Sequence, residues 1–311
     1  MNFQQIEYVI AVHNHKHFGA AADSCNITQA TLSAMIKKLE QELEILIFDR
    51  SRKPVKTTDV GLAFIEKARV ILAQKEELSL LKKSAKELEG ELSIGIIPTI
   101  ATSLLPLILP VIIEENPKLK LTITEITTEQ IKQQLVMDKI DLGILATPIN
   151  DEQFEEHILY YEPMMVYGVL DLNKNYVTSK DVKNSKIWLL EEGHCFRNQT
   201  LTICEIKEKE MKNSNLNFNG NSFETLLNLA NKFGGYTLVP ELYYYDMSDD
   251  KKNITKHFAR PIPVREVSII TYRHFSKNKT IEYLTSLIQN ITSSVLSTKN
   301  YSNKDLDIIG I

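Results

Sequence analysis

A chain of 311 residues is too long for one ordinary domain and long enough for two or three, each with its own core. Its 43% hydrophobic and 24% charged residues are globular proportions, no stretch reaches the ~18 uncharged apolar residues of a membrane span, and MNFQQIEYVIAVHNH does not read as a secretory signal, so a cytoplasmic chain with no membrane partner is expected. A net charge of −4 argues against indiscriminate coating of nucleic acid, and three cysteines without CxxC spacing are too few for a disulfide scaffold or a zinc site.

In residues 2–14, Phe3, Ile6, Val9 and Ile10 fall on one face of a predicted helix, and a second short helix runs through Phe18-Gly19-Ala20-Ala21-Ala22, whose small side chains permit close packing. After a break at Asn26, Thr28 caps a third helix with an apolar stripe of Leu32, Met35, Ile36, Leu39 and Leu43. The polar stretch FDRSRKPVKTTDVG then reads as a hairpin or wing. Opposite the stripe stand Gln29, Thr31, Ser33, Lys37 and Lys38, which suit base edges at the helix N-terminus and phosphates further along. An ordinary solvated face explains that helix equally well. The wing tips the balance toward DNA, because Arg50, Arg52, Lys53 and Lys56 fall within seven residues. His13, His15 and His17 read as a polar connector rather than a metal site, and Cys25 as a small buried residue.

Taken in order, HFGAAADSCNITQATLSAMIKKLEQELEILIFDRSRKPVKTTDVG resembles the winged helix-turn-helix of LysR-type regulators over its whole length. Ala30 stands where members often carry Pro, a departure confined to the first turn of the recognition helix. The resemblance implies double-stranded promoter DNA as a partner, contacts to RNA polymerase, a homodimer or homotetramer, and an effector domain similar to type 2 periplasmic binding proteins.

From Thr58 to about Leu88 a heptad of Phe64, Ile71, Leu78 and Ala85, with Ala68, Leu81 and Leu88 alongside, predicts a helix of ~45 Å whose seam serves dimerisation. Beyond Gly90, LSIGII, LLPLILPVIIEEN, LTITEI, EQIKQQLVMDK and DLGILAT alternate strand and helix, the mark of a parallel α/β layout. A similar alternation through KIWLLEE, FRNQTLTICEIKEKE, SFETLLNLANK, GYTLVP, VSIITYR and IEYLTSLIQNI predicts a second lobe. The expected fold is α/β, with a winged helix-turn-helix over 1–58, a linker helix over 59–89 and a two-lobed regulatory domain over 90–311.

Cys195 lies at the start of a predicted helix beside His194 and Arg197, and a helix N-terminus with nearby cations favours the nucleophilic thiolate. An ordinary thiol is only ~3% ionised at pH 7, so a lowered pKa is expected of a reactive one. Cys204 is nine residues on, ~13 Å along a continuous helix, and on spacing alone the two read as unrelated thiols. The surrounding EEGHCFRNQ…C closely resembles the OxyR group of hydrogen-peroxide sensors within the LysR family, and the similarity extends through GIIPTI, ITTEQ, SFETL, TLVP and TYR to about residue 290. That resemblance implies that Cys195 reacts with peroxide and Cys204 resolves it. It also implies that Thr99, Thr128, His194 and Arg273 line or support the peroxide pocket, with Arg197 beside the thiol and Thr127 as the alternative to Thr128. Asn198 stands where many relatives have Asp, which removes a negative charge near the thiol.

A LysR-type regulator answering a small organic co-inducer and a thiol peroxidase are the competing readings. The winged helix speaks against an enzyme, and no phosphate-cradling glycine loop, HExxH or GxSxG is present. No cofactor is expected.

Overall fold

Asn2 opens the first helix, α1 (Phe3–His15), with a reciprocal cap: its side chain accepts the Gln5 amide while the Gln5 side chain accepts its own, both at 2.9 Å. The structure, a computed structural model, describes residues 1–80, 88–169, 176–183, 185–191, 195–206, 220, 222–272 and 278–310. Two compact units result, one of Met1–Lys86 with Val136–Lys139 and Tyr272–Lys279, the other of Glu87–Leu135, Ile140–Thr271 and Thr280–Ile311.

In the first unit, α2 (Phe18–Ser24) begins where the His17 ring accepts the Ala20 amide, and α3 (Gln29–Leu43) begins where the Thr28 hydroxyl accepts the Thr31 amide at 3.2 Å. Val9, Val12, Ala21, Ala22, Leu32, Ile36 and Leu39 form the core between them. Phe3, expected on the apolar face of α1, is instead 47% exposed, because the buried face runs through Ile6, Tyr8, Val9, Ile10 and Val12. The wing is the antiparallel pair β1 (Phe48–Asp49) and β2 (Lys56–Thr57).

Helix α4 (Asp59–Leu80) is joined to the base of the wing. The Thr58 hydroxyl donates to the Leu46 carbonyl at 2.6 Å and accepts the Gly61 amide at 2.9 Å. A Cβ at Gly61 would stand 2.3 Å from the Ile47 carbonyl oxygen, so only glycine permits this approach. Phe64, Ile71 and Leu72 pack half-buried against Ile6, Ile10 and Ala68, so part of the expected dimer seam is used within the protomer. The Leu78 side chain, Leu81 and Ala85 lie outside the described residues. Leu88, expected in the helix, is not helical: its amide donates to the Asn116 side chain at 2.7 Å, just before a strand begins at Gly90.

The second unit begins with β3 (Gly90–Ile96), α5 (Pro98–Glu115), β4 (Leu119–Glu125), α6 (Thr128–Val136) and β5 (Leu142–Thr147). Strands β4, β3 and β5 are parallel neighbours, as the alternating pattern predicts. Helix α5 is apolar and long enough, by length and composition, to cross a membrane, yet its Ile100, Leu104, Ile108 and Ile112 are buried inside the unit. Then come β6 (Phe154–Val169), β7 (Tyr176–Val177), α7 (Ser179–Val182), α8 (Cys195–Ile203), α9 (Phe223–Phe233), β8 (Gly235–Pro240), α10 (Glu241–Tyr245), α11 (Asp249–Asn253), β9 (Thr255–Phe258), β10 (Ile262–Tyr272), α12 (Asn278–Val295) and β11 (Leu306–Ile308). The strands run β4-β3-β5-β10-β6-β9-β7, with β8 on β6 and β11 on β10.

Two features depart from the expected repeat of parallel strands. The long strand β6 has no counterpart in the predicted elements, and the strands around it, β8 and β9, are antiparallel to it. KIWLLEE, expected as a strand, contributes only an isolated bridge from Ile187 to Tyr236.

Candidate functional site

The segment before Cys195 is fastened along β8 and the glycine before it by hydrogen bonds. The Trp188 amide donates to the Tyr236 carbonyl, the Thr237 hydroxyl to the Trp188 carbonyl, and the indole N–H to the Gly234 carbonyl. This places Cys195 as the first residue of α8, buried, where the Phe196 amide acts on its sulfur. His194 and Arg273, both expected here, lie outside the described residues.

Burial pushes the Cys195 thiol above its ordinary value, opposed by the Thr128 hydroxyl, the Arg265 guanidinium and the Phe196 amide. The expectation of a lowered pKa is thus reversed in this reduced conformation, because desolvation outweighs the groups that favour the thiolate. Thr128, at the first position of α6, is buried and makes no ordinary hydrogen bond among the described residues. Thr127 instead exchanges hydrogen bonds with Gln130 and closes the start of that helix. Of the two threonines, it is Thr128 that acts on the thiol.

Arg197 does not supply the expected cation, since its guanidinium donates to the Leu190 carbonyl at 3.0 Å. Among the described residues, the cation that acts on Cys195 is Arg265 of β10, which no motif marks. Its Nε and Nη2 reach one oxygen of Glu162 at 2.8 and 2.7 Å, and both side chains are fully buried. The other Glu162 oxygen accepts the Leu242 amide at 2.9 Å. Nη1 and Nη2 of Arg265 also donate to the Thr99 hydroxyl and carbonyl at 3.2 and 3.0 Å, so Thr99, on the first turn of α5, is held against the same guanidinium. The ring of Phe196, beside Cys195, lies 5.7 Å from Arg265 Cζ.

Cys204 stands at the other end of α8, and its amide still donates to the Thr200 carbonyl in helical register. It is fully buried in an apolar cluster with Trp188, Leu190, Phe196, Ile203, Leu226 and Tyr236, and burial pushes its thiol up to about 11. Nine residues of helical rise separate the two thiols by about 13 Å, against the ~4.4–6.8 Å between Cα atoms that a disulfide requires. Both cysteines are accordingly free.

On α3, Gln29, Thr31, Lys37 and Lys38 are exposed, and the Thr31 hydroxyl is hydrogen-bonded to Thr28. Ser33 is half-buried and accepts from Arg50 at 3.2 Å. Arg50 also pairs with the buried Glu40 at 2.7 Å and lies over the Phe18 ring, so it fastens the wing to α3. Arg52 pairs with Asp49 at 3.3 Å. Lys37, Lys38, Lys53 and Lys56 are exposed and form no ion pair among the described residues.

The His13 ring is hydrogen-bonded to the Thr57 hydroxyl at 2.9 Å, and burial lowers its pKa. His17 caps α2, so these histidines serve the fold. Cys25 is half-buried against the first unit's core.

Residues 3–62 match the family described as bacterial regulatory helix-turn-helix protein, lysR family, and residues 85–290 match the LysR substrate binding domain. The chain is 37% identical over 249 residues to a hydrogen peroxide-inducible genes activator of Dickeya chrysanthemi, covering 78% of this chain and 80% of that protein. It is 32% identical over 309 residues to the protein of the same name from Haemophilus influenzae, covering 95% and 99%. Among solved structures, a full-length OxyR variant from Pseudomonas aeruginosa superposes with a TM-score of 0.71 at 29% identity, covering 93% of this chain and 98% of that one.

Proposed function

The chain belongs to the LysR family of bacterial transcription regulators, and from that membership we infer that it is a peroxide-sensing regulator that binds DNA through its first unit and reads hydrogen peroxide at Cys195. The observation that carries the redox assignment is the placement of two thiols at opposite ends of one helix, the first beside Thr128 and Arg265 and the second buried in the core.

The chemistry follows from those groups. The Cys195 thiolate attacks one peroxide oxygen, the O–O bond breaks, and the leaving hydroxide takes a proton to become water, which leaves a sulfenic acid on Cys195. Arg265 and Thr128 favour the thiolate against the cost of burial. The Thr99 hydroxyl oxygen accepts from Arg265, which leaves its own hydrogen free to donate toward a peroxide oxygen. The Cys204 thiol then displaces hydroxide from the sulfenic sulfur and a second water is released. Two thiols and one peroxide thus give one disulfide and two waters.

Because the bond cannot span about 13 Å of intact helix, its formation requires α8 to unwind, and this converts oxidation into a change of shape. The family resemblance assigns His194 and Arg273 to the same pocket, and Arg197 fixes the approach to α8 through Leu190. In the first unit, Gln29, Thr31 and Ser33 face base edges while Lys37, Lys38, Arg52 and Lys53 face the phosphate backbone, with Arg50 holding the wing to α3. The chain acts as a stoichiometric cytoplasmic sensor rather than an enzyme, in a homodimer or homotetramer, with RNA polymerase as its further partner.

Mass spectrometry of the purified full-length protein before and after one equivalent of peroxide tests the redox assignment. A Cys195 to Cys204 crosslink is expected. Oxidation confined to Cys25, or a chain that stays fully reduced, would refute it.

A further inference from the structure

Gln199 is completely buried in the middle of α8, and its side-chain amide donates to the Ile309 carbonyl at 3.1 Å. That bond ties the helix between the two thiols to the end of the chain. Strand β11 runs parallel to the start of β10, with Leu306, Asp307 and Ile308 opposite Ile262, Pro263 and Val264, and the Ile309 amide donates to the Val264 carbonyl at 2.9 Å. The Ile309 side chain is buried in the same apolar cluster as Phe196, Ile203 and Cys204.

Among the described residues, little else fastens this strand. Ile308 is half-exposed, and the Arg260–Asp305 ion pair at 3.1 Å is largely solvated on the arginine side. Three residues of ladder, with no second strand beside them among the described residues, are weak alone. The hold on the C-terminus therefore comes from the Gln199 amide and from the socket for Ile309, and both are built from α8 and the core around it.

We propose that oxidation releases the C-terminal strand, with Gln199 as the latch that keeps β11 docked while α8 is wound. The proposal rests on the reading that the Cys195–Cys204 disulfide unwinds α8. Unwinding withdraws the Gln199 donor from Ile309 and carries Phe196, Ile203 and Cys204 out of the cluster that seats it. The coupling is reciprocal, so a docked strand resists disulfide formation. Gln199 touches neither thiol nor peroxide and acts as a positioning residue for the second step alone.

Hydrogen exchange on the full-length protein tests this, with peptides covering residues 300–311 followed in the reduced form and after one equivalent of peroxide. Exchange at the Ile309 amide should accelerate at least tenfold in the disulfide form. A crosslinked protein with Ile309 as protected as in the reduced form overturns the latch while leaving the redox assignment standing. Absence of the crosslink overturns both.

A second measurement uses Gln199→Met, which removes the donor at similar volume. Sulfenic acid formation at Cys195 should keep its wild-type rate, whereas disulfide formation should accelerate by about two- to tenfold, the effect of losing one net hydrogen bond from the docked state. Removal of residues 306–311 should give the same split. Equal changes in both rates would mean a merely structural residue and would overturn the assignment.

Discussion

Arg265 and Glu162 form a fully buried ion pair between β10 and β6, with the guanidinium also donating to both oxygens of Thr99. Breaking such a pair leaves an uncompensated charge in the interior, whereas replacing both partners by apolar groups need not cost stability. Arg265→Met should therefore lose about 3–5 kcal/mol, and Arg265→Met with Glu162→Leu should recover most of it. Both variants should react more slowly with peroxide at Cys195, because each lacks the charge that opposes burial of the thiolate. Urea unfolding together with the pH profile of Cys195 alkylation separates the two effects, and a double variant with wild-type reactivity would remove Arg265 from the chemistry.

The two thiols should divide the labour. Cys195→Ser is expected to abolish the peroxide response, since a serine hydroxyl is not appreciably ionised and lacks the polarisable sulfur. Cys204→Ser should still form a sulfenic acid that persists or over-oxidises. Trapping that species while following protease sensitivity of residues 195–210 provides the readout. A lasting change of cleavage in Cys204→Ser would show that oxidation of Cys195 alone drives the rearrangement.

Cys204 gives the reduced protein a pH signature. Its native thiol titrates near 11 against an ordinary value of 9.0. Below pH 9 the group is protonated in both native and unfolded chains and its contribution is fully present. Between pH 9 and 11 only the unfolded chain loses the proton, so stability falls as pH rises, by roughly 2–3 kcal/mol in total. Cys204→Ser should lack this part of the decline, and denaturation midpoints collected from pH 8 to 11 would reveal a parallel decline if the thiol were not buried from solvent.

The cations of the wing should separate into two kinds. Lys53→Ala removes a free charge and should weaken binding to all DNA sequences alike, flattening the salt slope by about 0.9. Arg50→Ala removes the bonds to Glu40 and Ser33 and should cost the first unit about 1–2 kcal/mol as well. Salt titrations with specific and unrelated duplexes, alongside thermal melts, would sort them. A shift in preferred sequence on Lys53→Ala would contradict a phosphate contact.

What the sequence disclosed tracks how local its cause is. The cap at Thr28 and the apolar stripe of α3 act within one turn, and the helices of the first unit form where the pattern places them. The start of α8 at Cys195 was legible for the same reason. Strand β6 was not, because Glu155, Glu156, His157, Glu162 and Pro163 interrupt any alternation of apolar and polar residues. Arg265 was also hidden, since the carboxylate that makes its burial tolerable is Glu162, 103 residues earlier. Arg197 was misread because proximity in sequence placed a charge next to the thiol, whereas its guanidinium reaches back to the Leu190 carbonyl. The register of Thr127 and Thr128 needed the helix cap, which turns one toward Gln130 and leaves the other to the thiol.

The close approach of Gly61 to the Ile47 carbonyl makes the base of the wing and the first turn of α4 one joint, in which neither can shift without the other. Twenty-two residues give that helix a length of about 33 Å. Because Phe64, Ile71 and Leu72 also seat it along α1, a displacement imposed on α4 is carried by the whole first unit and reaches the wing undiminished. A displacement of about 1 Å is enough to make or lose a hydrogen bond to a phosphate oxygen.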